Sequence, residues 1–223
     1  MPDQPSIRPS SRSGARPLRR ALGACAATLA LLALGACGSA PSTAFDLTAP
    51  RGAVRGARIA AQLVVAEPST VQAFEAQGIV AKGQDDTVAL IGGGQWADRL
   101  PRLVQSRLIE TLEAASARLA VGRPGDGISA DYQLNSEIRD FNFDGRSGEA
   151  VVEIAAKLID IRSGRVVRGR VFSARTPVGS ANAGEVAPAL DKSAGIVFAN
   201  IARWIGSGVQ SPPQDPGLRV GAL

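Results

Sequence analysis

The sequence predicts an α/β fold, a single domain in which two long helices pack on a mixed β-sheet. Apolar residues recur at the spacing of one helix face in two segments, near residues 98–117 and 185–205. Around those segments lie short runs rich in Val, Ile and Leu, separated by turns that contain Gly and Asp. Each helix has one apolar stripe that must cover a sheet face, so we expect about five to seven strands.

The first part of the domain is predicted to contain a strand and a hairpin. Arg58–Val65 has the composition of a strand, and Ile79–Lys82 and Thr87–Ile91 flank a turn rich in Gly and Asp, as in a hairpin. The run Gly92-Gly93-Gly94 follows. Because it lacks the Lys-Ser/Thr of a phosphate-binding loop, we interpret it as a flexible hinge before the next helix.

The first long helix is predicted from Asp98 to about Ala117, and Leu119–Val121 is a short strand after it. Asp98 is the expected N-cap, and Pro101 falls in the first turn, where its missing N–H costs nothing. The apolar face of this helix consists of Leu100, Leu103, Val104, Leu108, Leu112 and Ala115.

The second half is predicted to be rich in strands. Residues 132–143 alternate between apolar and polar, and a change of phase indicates a bulge near Asp140. Ala150–Ile161 and Arg165–Ala174 are joined by a tight turn that contains Gly164, as in a hairpin.

The last helix is predicted from about Glu185 to Ile205. Pro188 is expected in its first turn. Its buried face consists of Val186, Leu190, Ala194, Val197, Ile201 and Ile205.

The segment before the domain has the pattern of a bacterial lipoprotein signal. An arginine-rich start precedes the apolar run Ala21–Ala36, which ends in Leu34-Gly35-Ala36-Cys37. A Cys after small residues is the site that receives diacylglycerol, so Cys37 is predicted to be the acylated first residue of the mature chain. The alternative is a transmembrane anchor, but the apolar run has sixteen residues, whereas a membrane span needs about 20.

This signal sets the predicted organisation of the chain. Residues 1–36 form the signal peptide, 37–44 a lipidated tether, 45–206 the folded domain and 207–223 a disordered tail that is rich in Pro, Gly and Ser. In the envelope, Asp directly after the lipidated Cys retains a lipoprotein in the inner membrane of enterobacteria. Gly38 occupies that place, so we expect the periplasmic face of the outer membrane.

Charge and composition exclude several classes of function. The whole chain has a net charge of +5, but residues 1–36 hold five of its arginines and one aspartate, so the mature part is nearly neutral and is not expected to bind nucleic acid. The chain has no His and two Cys, and Cys37 carries the lipid while Cys25 leaves with the signal. We therefore expect no disulfide, no metal or other cofactor, and no enzymatic reaction. Asp-rich turns at Asp85-Asp86 and at Asp140 and Asp144 are interpreted as turns rather than cation ligands.

Three residues are candidates for contact with a partner. Trp96 lies just before the first helix and is either an exposed interface anchor or a packed ring. Arg168 and Arg170 share one face of a strand. They either contact lipid phosphates or an acidic partner, or they form a solvated strand face or a charged edge that blocks strand pairing.

A series of short motifs runs through the mature domain. They are the lipobox Cys37, Phe45-Asp46-Leu47-Thr48-Ala49-Pro50, Gln95-Trp96-Ala97-Asp98-Arg99-Leu100-Pro101, Ala130-Asp131-Tyr132-Gln133-Leu134, Asp140-Phe141, Leu158–Val166 and Ala202-Arg203-Trp204-Ile205. Their order resembles the ABC-type transport auxiliary lipoprotein component family, and the resemblance covers nearly the whole mature domain.

The resemblance implies an accessory subunit of a lipid-trafficking ABC system. Such systems pair an inner-membrane permease and ATPase with a periplasmic mammalian-cell-entry (MCE) domain protein, which the lipoprotein would receive at the outer membrane. It also implies a compact fold similar to the anticodon-binding-like or TolB N-terminal architecture, and it brings no catalytic residues.

Two other classes of function stay open at this stage. One is an envelope-assembly scaffold with no part in transport, and the other is a lipid carrier, which would need a lined cavity. A homo-oligomer is also left open, because an oligomeric ring or a sheet edge would suit docking.

Overall fold

The computed structural model describes residues 42–50, 61–116 and 119–207. These belong to one compact unit that begins at Ser42. The predictions for the signal peptide, Cys37, the start of the strand at Arg58 and the tail after Ser207 lie outside the described residues. Within the described part, no helix combines the length and apolar composition that a membrane crossing requires.

The described residues form nine strands in one sheet and two long helices. A single 3-10 turn, Gln72–Phe74, follows the third strand. The helices are α1 (Leu100–Ala115) and α2 (Ala183–Gly206), and the strands are β1 (Thr43–Phe45), β2 (Ala61–Val65), β3 (Ser69–Thr70), β4 (Gly78–Lys82), β5 (Val88–Trp96), β6 (Leu119–Gly122), β7 (Tyr132–Asp144), β8 (Glu149–Asp160) and β9 (Arg165–Pro177).

The long strand β7 organises this mixed sheet. One of its sides pairs with β8 in an antiparallel ladder along its whole length, and β9 follows β8 as the edge strand. Its other side pairs with three short parallel strands in succession: β2, β3 and β4. Beyond them, β6 pairs with β2 in parallel, β5 pairs with β4 antiparallel, and β1 adds to β5 in parallel. The fold class is therefore confirmed, but the sheet has more strands than expected because β1 and β3 are too short for any period to show.

The apolar stripes of both helices form the core, as predicted. Every residue of the predicted α2 face is fully buried, and those of α1 are at most 7% exposed. Helix α2 packs on β8 and β9, and a hydroxyl of α2 links it to the sheet: Ser193 Oγ lies 2.8 Å from Thr176 Oγ1 and donates to the Ala150 carbonyl at 3.2 Å. These paired hydroxyls satisfy one another in a site that water does not reach.

The starts of both helices differ from the sequence prediction. In α1 the N-cap is Arg99 and not Asp98, whose carboxylate accepts the Arg99 N–H at 2.7 Å and pairs with Arg102 but caps no backbone N–H of the helix. The Leu100 N–H donates instead to the Ala76 carbonyl. In α2 the N-cap is Asn182, whose side chain accepts the Glu185 N–H, so the helix begins earlier than predicted and Pro188 lies inside it. Propensity could not locate these caps, because each depends on which backbone groups the preceding loop presents.

The run Gly92-Gly93-Gly94 is not a hinge between elements, so that prediction is wrong. It belongs to β5, where it forms a long irregular bulge. Between the paired positions Gly78–Gln95 and Val80–Leu90, β4 spans two residue steps whereas β5 spans five. Gly93 has a φ of 80°, which a side chain would strain, and Gly94 is packed tightly under Phe45 and Ala183.

Three further local predictions are confirmed, namely two hairpins and a bulge. The β4–β5 and β8–β9 hairpins form, and Gly164 takes a φ of 67° in the second of them. The register of β7 against β8 shifts between Ile138 and Asp140, which is the predicted bulge.

Candidate functional site: an arginine-lined cleft beside the β9 edge

Arginine side chains from β9 and α2 line a cleft of about 600 Å³ at the surface. Arg168 and Arg170 come from β9, and Arg203 comes from the last turns of α2. The two elements meet here because α2 returns along the sheet and ends beside the start of β9. Arg203 is remote in sequence from Arg168 and Arg170, and it lies beside them because α2 packs against β9.

Arg168 is held in place by Trp204. Its guanidinium carbon lies 5.1 Å from the centre of the Trp204 ring, and its Nη1 donates to the Trp204 carbonyl at 2.9 Å. Trp204 is only 6% exposed, and it packs edge-on against Phe172 with ring centres 5.6 Å apart. A cation on such a ring is positioned in advance, so less side-chain entropy remains to be lost when a ligand binds.

The other two arginines are more exposed and also contact the wall of the cleft. The guanidinium carbon of Arg170 lies 5.3 Å from the centre of the Phe172 ring. Arg203 donates to the side-chain oxygen of Asn200 and, at 3.4 Å, to the Ala199 carbonyl. Both guanidinium groups therefore keep donors available on the solvent side of the cleft.

The cleft is positively charged and lacks a neutralising carboxylate in the described part of the chain. None of its described lining residues is Asp or Glu, and no described carboxylate forms an ion pair with Arg168, Arg170 or Arg203. Elsewhere on the domain arginines do pair, as Arg146 does with Asp86 at 2.7 Å. Three guanidinium groups that converge without a counter-ion suit an anionic ligand such as a carboxylate.

An unpaired strand edge lies next to this cleft. Among the described strands β9 pairs with β8 alone, so no described strand covers the backbone N–H and C=O groups of its other side. Exposed apolar side chains lie on the same strand: Val166 is 56% exposed, Val167 47% and Val171 45%. The site thus combines positive charge, apolar surface and an open backbone edge, which are the features that strand-adding interfaces use.

Trp96 does not belong to this surface, and the interface-anchor hypothesis for it is wrong. The side chain is 1% exposed and packs edge-on against Phe141, with ring centres 5.6 Å apart at 85°. The β5 bulge directly before it turns the ring inward, so the packed alternative holds.

Sequence reasoning found Arg168 and Arg170 but missed Arg203 as their neighbour. The alternation of β9 placed the first two on one face, whereas the contact with Arg203 depends on where α2 ends. The adjacent Trp204 was the available signal, since a large ring near a helix end needs a packing partner. Cys37 lies outside the described residues.

Asp85 and Asp144 stabilise turns, whereas Asp140 lies inside β7, so its interpretation as a turn residue is wrong. Asp85 accepts the hydroxyl of Thr87, which lowers the pKa of Asp85. The pKa of Asp144 is lowered by the backbone N–H of Arg146 and then by the Ser147 hydroxyl. Asp140 pairs with Lys82. Across the described ranges, no group of three or more potential metal ligands is placed to hold an ion.

The fold agrees with comparisons to known proteins. A family model described as "ABC-type transport auxiliary lipoprotein component" matches residues 45–202. The chain belongs to this family. This family is described as auxiliary lipoprotein components of ABC-type transport, and lipoproteins are proteins of the cell envelope.

One curated relative and two solved structures are similar to most of the chain. The chain is 31% identical over 171 residues to the uncharacterized protein bll6063 of Bradyrhizobium diazoefficiens, and this match covers 74% of the chain but 45% of that protein. The crystal structure of protein XCC0632 from Xanthomonas campestris matches with a TM-score of 0.64 at 24% identity, over 74% of this chain and 94% of that one. A second crystal structure, of an uncharacterized protein, matches with a TM-score of 0.58 at 19% identity, over 74% and 99%. At these identities the two structures establish the α/β fold alone.

Proposed function

We propose that this lipoprotein is the outer-membrane-anchored accessory subunit of an MCE-type ABC system for intermembrane lipid transport, and that it docks the MCE-domain protein without performing a reaction. The observation that carries the proposal is the cleft of Arg168, Arg170 and Arg203, which lacks a described carboxylate partner beside an open strand edge. Membership of the family supports the part of the proposal that links the protein to an ABC-type transport system.

The chemistry of the cleft favours an acidic, extended segment of the partner. A guanidinium group binds a carboxylate through two parallel hydrogen bonds, and three such groups can receive more than one acidic side chain. The exposed edge of β9 can pair with a strand of the same segment, while Val166 and Val171 supply apolar contact. A single acidic, extended segment can therefore bind the arginines, the strand edge and the exposed valines together.

The absence of a reaction is proposed from the residues that the chain contains. The sequence has no His, and Cys25 and Cys37 are both consumed by the proposed signal and lipid. Three Lys are present, and Lys82 is paired with Asp140. A histidine general base, a thiolate nucleophile, and imidazole or thiolate zinc ligands are thus missing from the mature chain.

Anchoring is proposed to occur through palmitate and diacylglycerol on Cys37. Gly38 in the next position favours transport to the outer membrane, where the domain faces the periplasm. Two or more acyl chains hold a protein on a bilayer stably, whereas one holds it only reversibly.

The test is capture of the partner by the detergent-solubilised native lipoprotein. Wild-type protein should recover an MCE-domain protein, and Arg168→Glu with Arg170→Glu should reduce that recovery about tenfold or more, since losing charge pairs at an interface costs on the order of 2 kcal/mol. Arg102→Glu with Arg162→Glu is the matched control, because it changes the net charge equally at exposed positions outside the cleft.

Each result tests a different part of the proposal. If the wild type captures peptidoglycan or assembly factors and no MCE-domain protein, the scaffold function replaces transport. If capture succeeds and the cleft variant matches the control, the docking surface lies elsewhere. Melting temperatures of both variants exclude unfolding as the cause of lost capture.

A further inference from the structure

Strand directions give the domain two distinct ends. At the first, the β4–β5 and β7–β8 turns lie together: Arg146 donates to the Gln84 carbonyl at 2.8 Å and pairs with Asp86 at 2.7 Å. We call this the turn end. At the second, the cleft end, β9 begins and α2 finishes, so it carries Arg168 and the arginine-lined cleft. The thirteen residues of β7 run between them, a length of about 40 Å.

The direction of β1 defines which end of the domain its first residue faces. Strand β1 is parallel to β5, with Thr43 opposite Gly94, and β5 itself starts at Val88 next to the β4–β5 turn. Followed backward from Phe45 to Thr43, β1 therefore points toward that turn. Cys37 is six residues before Thr43, so fully extended chain reaches at most about 20 Å from β1.

The surface at this end is apolar and unpaired in the described structure. Leu90 is 67% exposed, the largest fraction among the exposed large hydrophobic side chains described, and Val88 is 55% exposed. The stretch from Val88 to Gly93 contains no charged residue, and no described strand pairs with its outer side. Natural proteins usually protect such an edge with charge, proline or a covering element.

The charges near this surface are acidic rather than basic in balance, since Asp85 and Asp144 form no ion pair among the described residues. Lys82 pairs with Asp140 and Arg146 pairs with Asp86, while Asp85 bonds to its own turn. We therefore expect no electrostatic attraction between the turn end and anionic lipid headgroups. Its chemistry fits the apolar boundary of a lipid layer, with the lipid on Cys37 as the main anchor.

We propose that the turn end rests on the bilayer that holds the Cys37 lipid, with Val88 and Leu90 at the membrane interface, and that the arginine-lined cleft points away from that membrane. This inference rests on the lipid anchor in the proposed function. The cleft then lies beyond the headgroups of the anchoring membrane, on the side from which a periplasmic partner arrives.

The experiment uses the full lipidated chain in phosphatidylethanolamine–phosphatidylglycerol vesicles that contain nitroxide-labelled lipid. A fluorophore is attached at Leu90→Cys and, as controls, at Val171→Cys beside the cleft and Ile196→Cys on α2, which are exposed to 45% and 43% in the native chain. We expect nitroxide near the headgroups to quench the label at position 90 at least about twofold more than either control, as for side chains at the acyl boundary. Adding Val88→Asp should reduce this quenching.

The outcomes separate the anchor from the orientation. A chain that neither takes up labelled palmitate nor floats with vesicles overturns both the anchor and the orientation. A chain that is lipidated and floats, but whose label at position 90 is quenched no more than the controls, overturns the orientation alone. Self-quenching between labels at position 90 without an effect of nitroxide shows that a second copy covers the edge, which also overturns it.

Discussion

The three glycines of the β5 bulge should respond to the same substitution in three different ways. A methyl group at Gly94 would lie 2.5 Å from the Cβ of Ala183 and 2.7 Å from the ring of Phe45. The Cβ of Ala183 is fixed to the backbone of α2, so it cannot rotate away. Gly94→Ala must therefore push β1 or the start of α2 off the sheet, and forced overpacking of this kind costs about 1–3 kcal/mol.

Its neighbours in the bulge provide matched controls. Gly92 has no atom within 4 Å of the added methyl and no positive φ. Gly92→Ala should be neutral or should stabilise by about 0.4–1 kcal/mol, because alanine restricts the unfolded chain. Gly93 is equally open but has a φ of 80°, so Gly93→Ala should cost about 1–2 kcal/mol through backbone strain alone.

Denaturant unfolding of the chain from Gly38 onward measures all three free energies, and hydrogen exchange locates their effects. Gly94→Ala should accelerate amide exchange in β1 and the first turn of α2, whereas Gly93→Ala should affect the bulge only. A Gly94→Ala protein as stable as Gly92→Ala would refute the packing of Phe45 and Ala183 on β5.

Four further results are expected. Leu108→Ala in the buried face of α1 should lower the free energy of unfolding by about 2–5 kcal/mol in denaturant titrations, and truncation after Gly206 should change it by less than about 1 kcal/mol. Cys37→Ser should take up no labelled palmitate and leave the membrane fraction. The backbone N–H and then the hydroxyl of Ser163 lower the pKa of Asp160, so this carboxylate stabilises the folded chain above its unfolded pKa and loses that effect as pH falls. The stability difference between wild type and Asp160→Ala should accordingly shrink below about pH 4.

Features that depend on local period were predictable from the sequence. The α1 and α2 faces follow the 3.6-residue repeat, and each residue predicted to face inward is buried. The β8–β9 hairpin was readable because Gly164 marks a turn that needs a positive φ. The β7 bulge was readable because the apolar phase changes between Ile138 and Phe141.

Features that depend on distant partners were not predictable. The glycine run looked like a hinge, because its role in β5 rests on contacts of Gly94 with Phe45 and Ala183, which are remote in sequence. Strands β1 and β3 have three and two residues, below the length at which alternation can be recognised. In the candidate site, Arg168 and Arg170 followed from alternation, whereas Arg203 joined them only through the packing of α2.

The packing of α2 also bears on whether the domain carries lipid itself. A carrier needs an apolar cavity, yet the side chains of β8 that face α2 are at most 1% exposed, because the helix stripe fills the space above them; they are Ala150, Val152, Ile154, Ala156 and Leu158. The arginine-lined cleft is open, but an acyl chain placed there would remove water from guanidinium groups without offering them a partner, which is costly. A carboxylate supplies the negative charge and the hydrogen-bond acceptors that an acyl chain lacks. The geometry therefore favours a docking surface over a carrier, and capture of the partner then decides between transport and scaffolding.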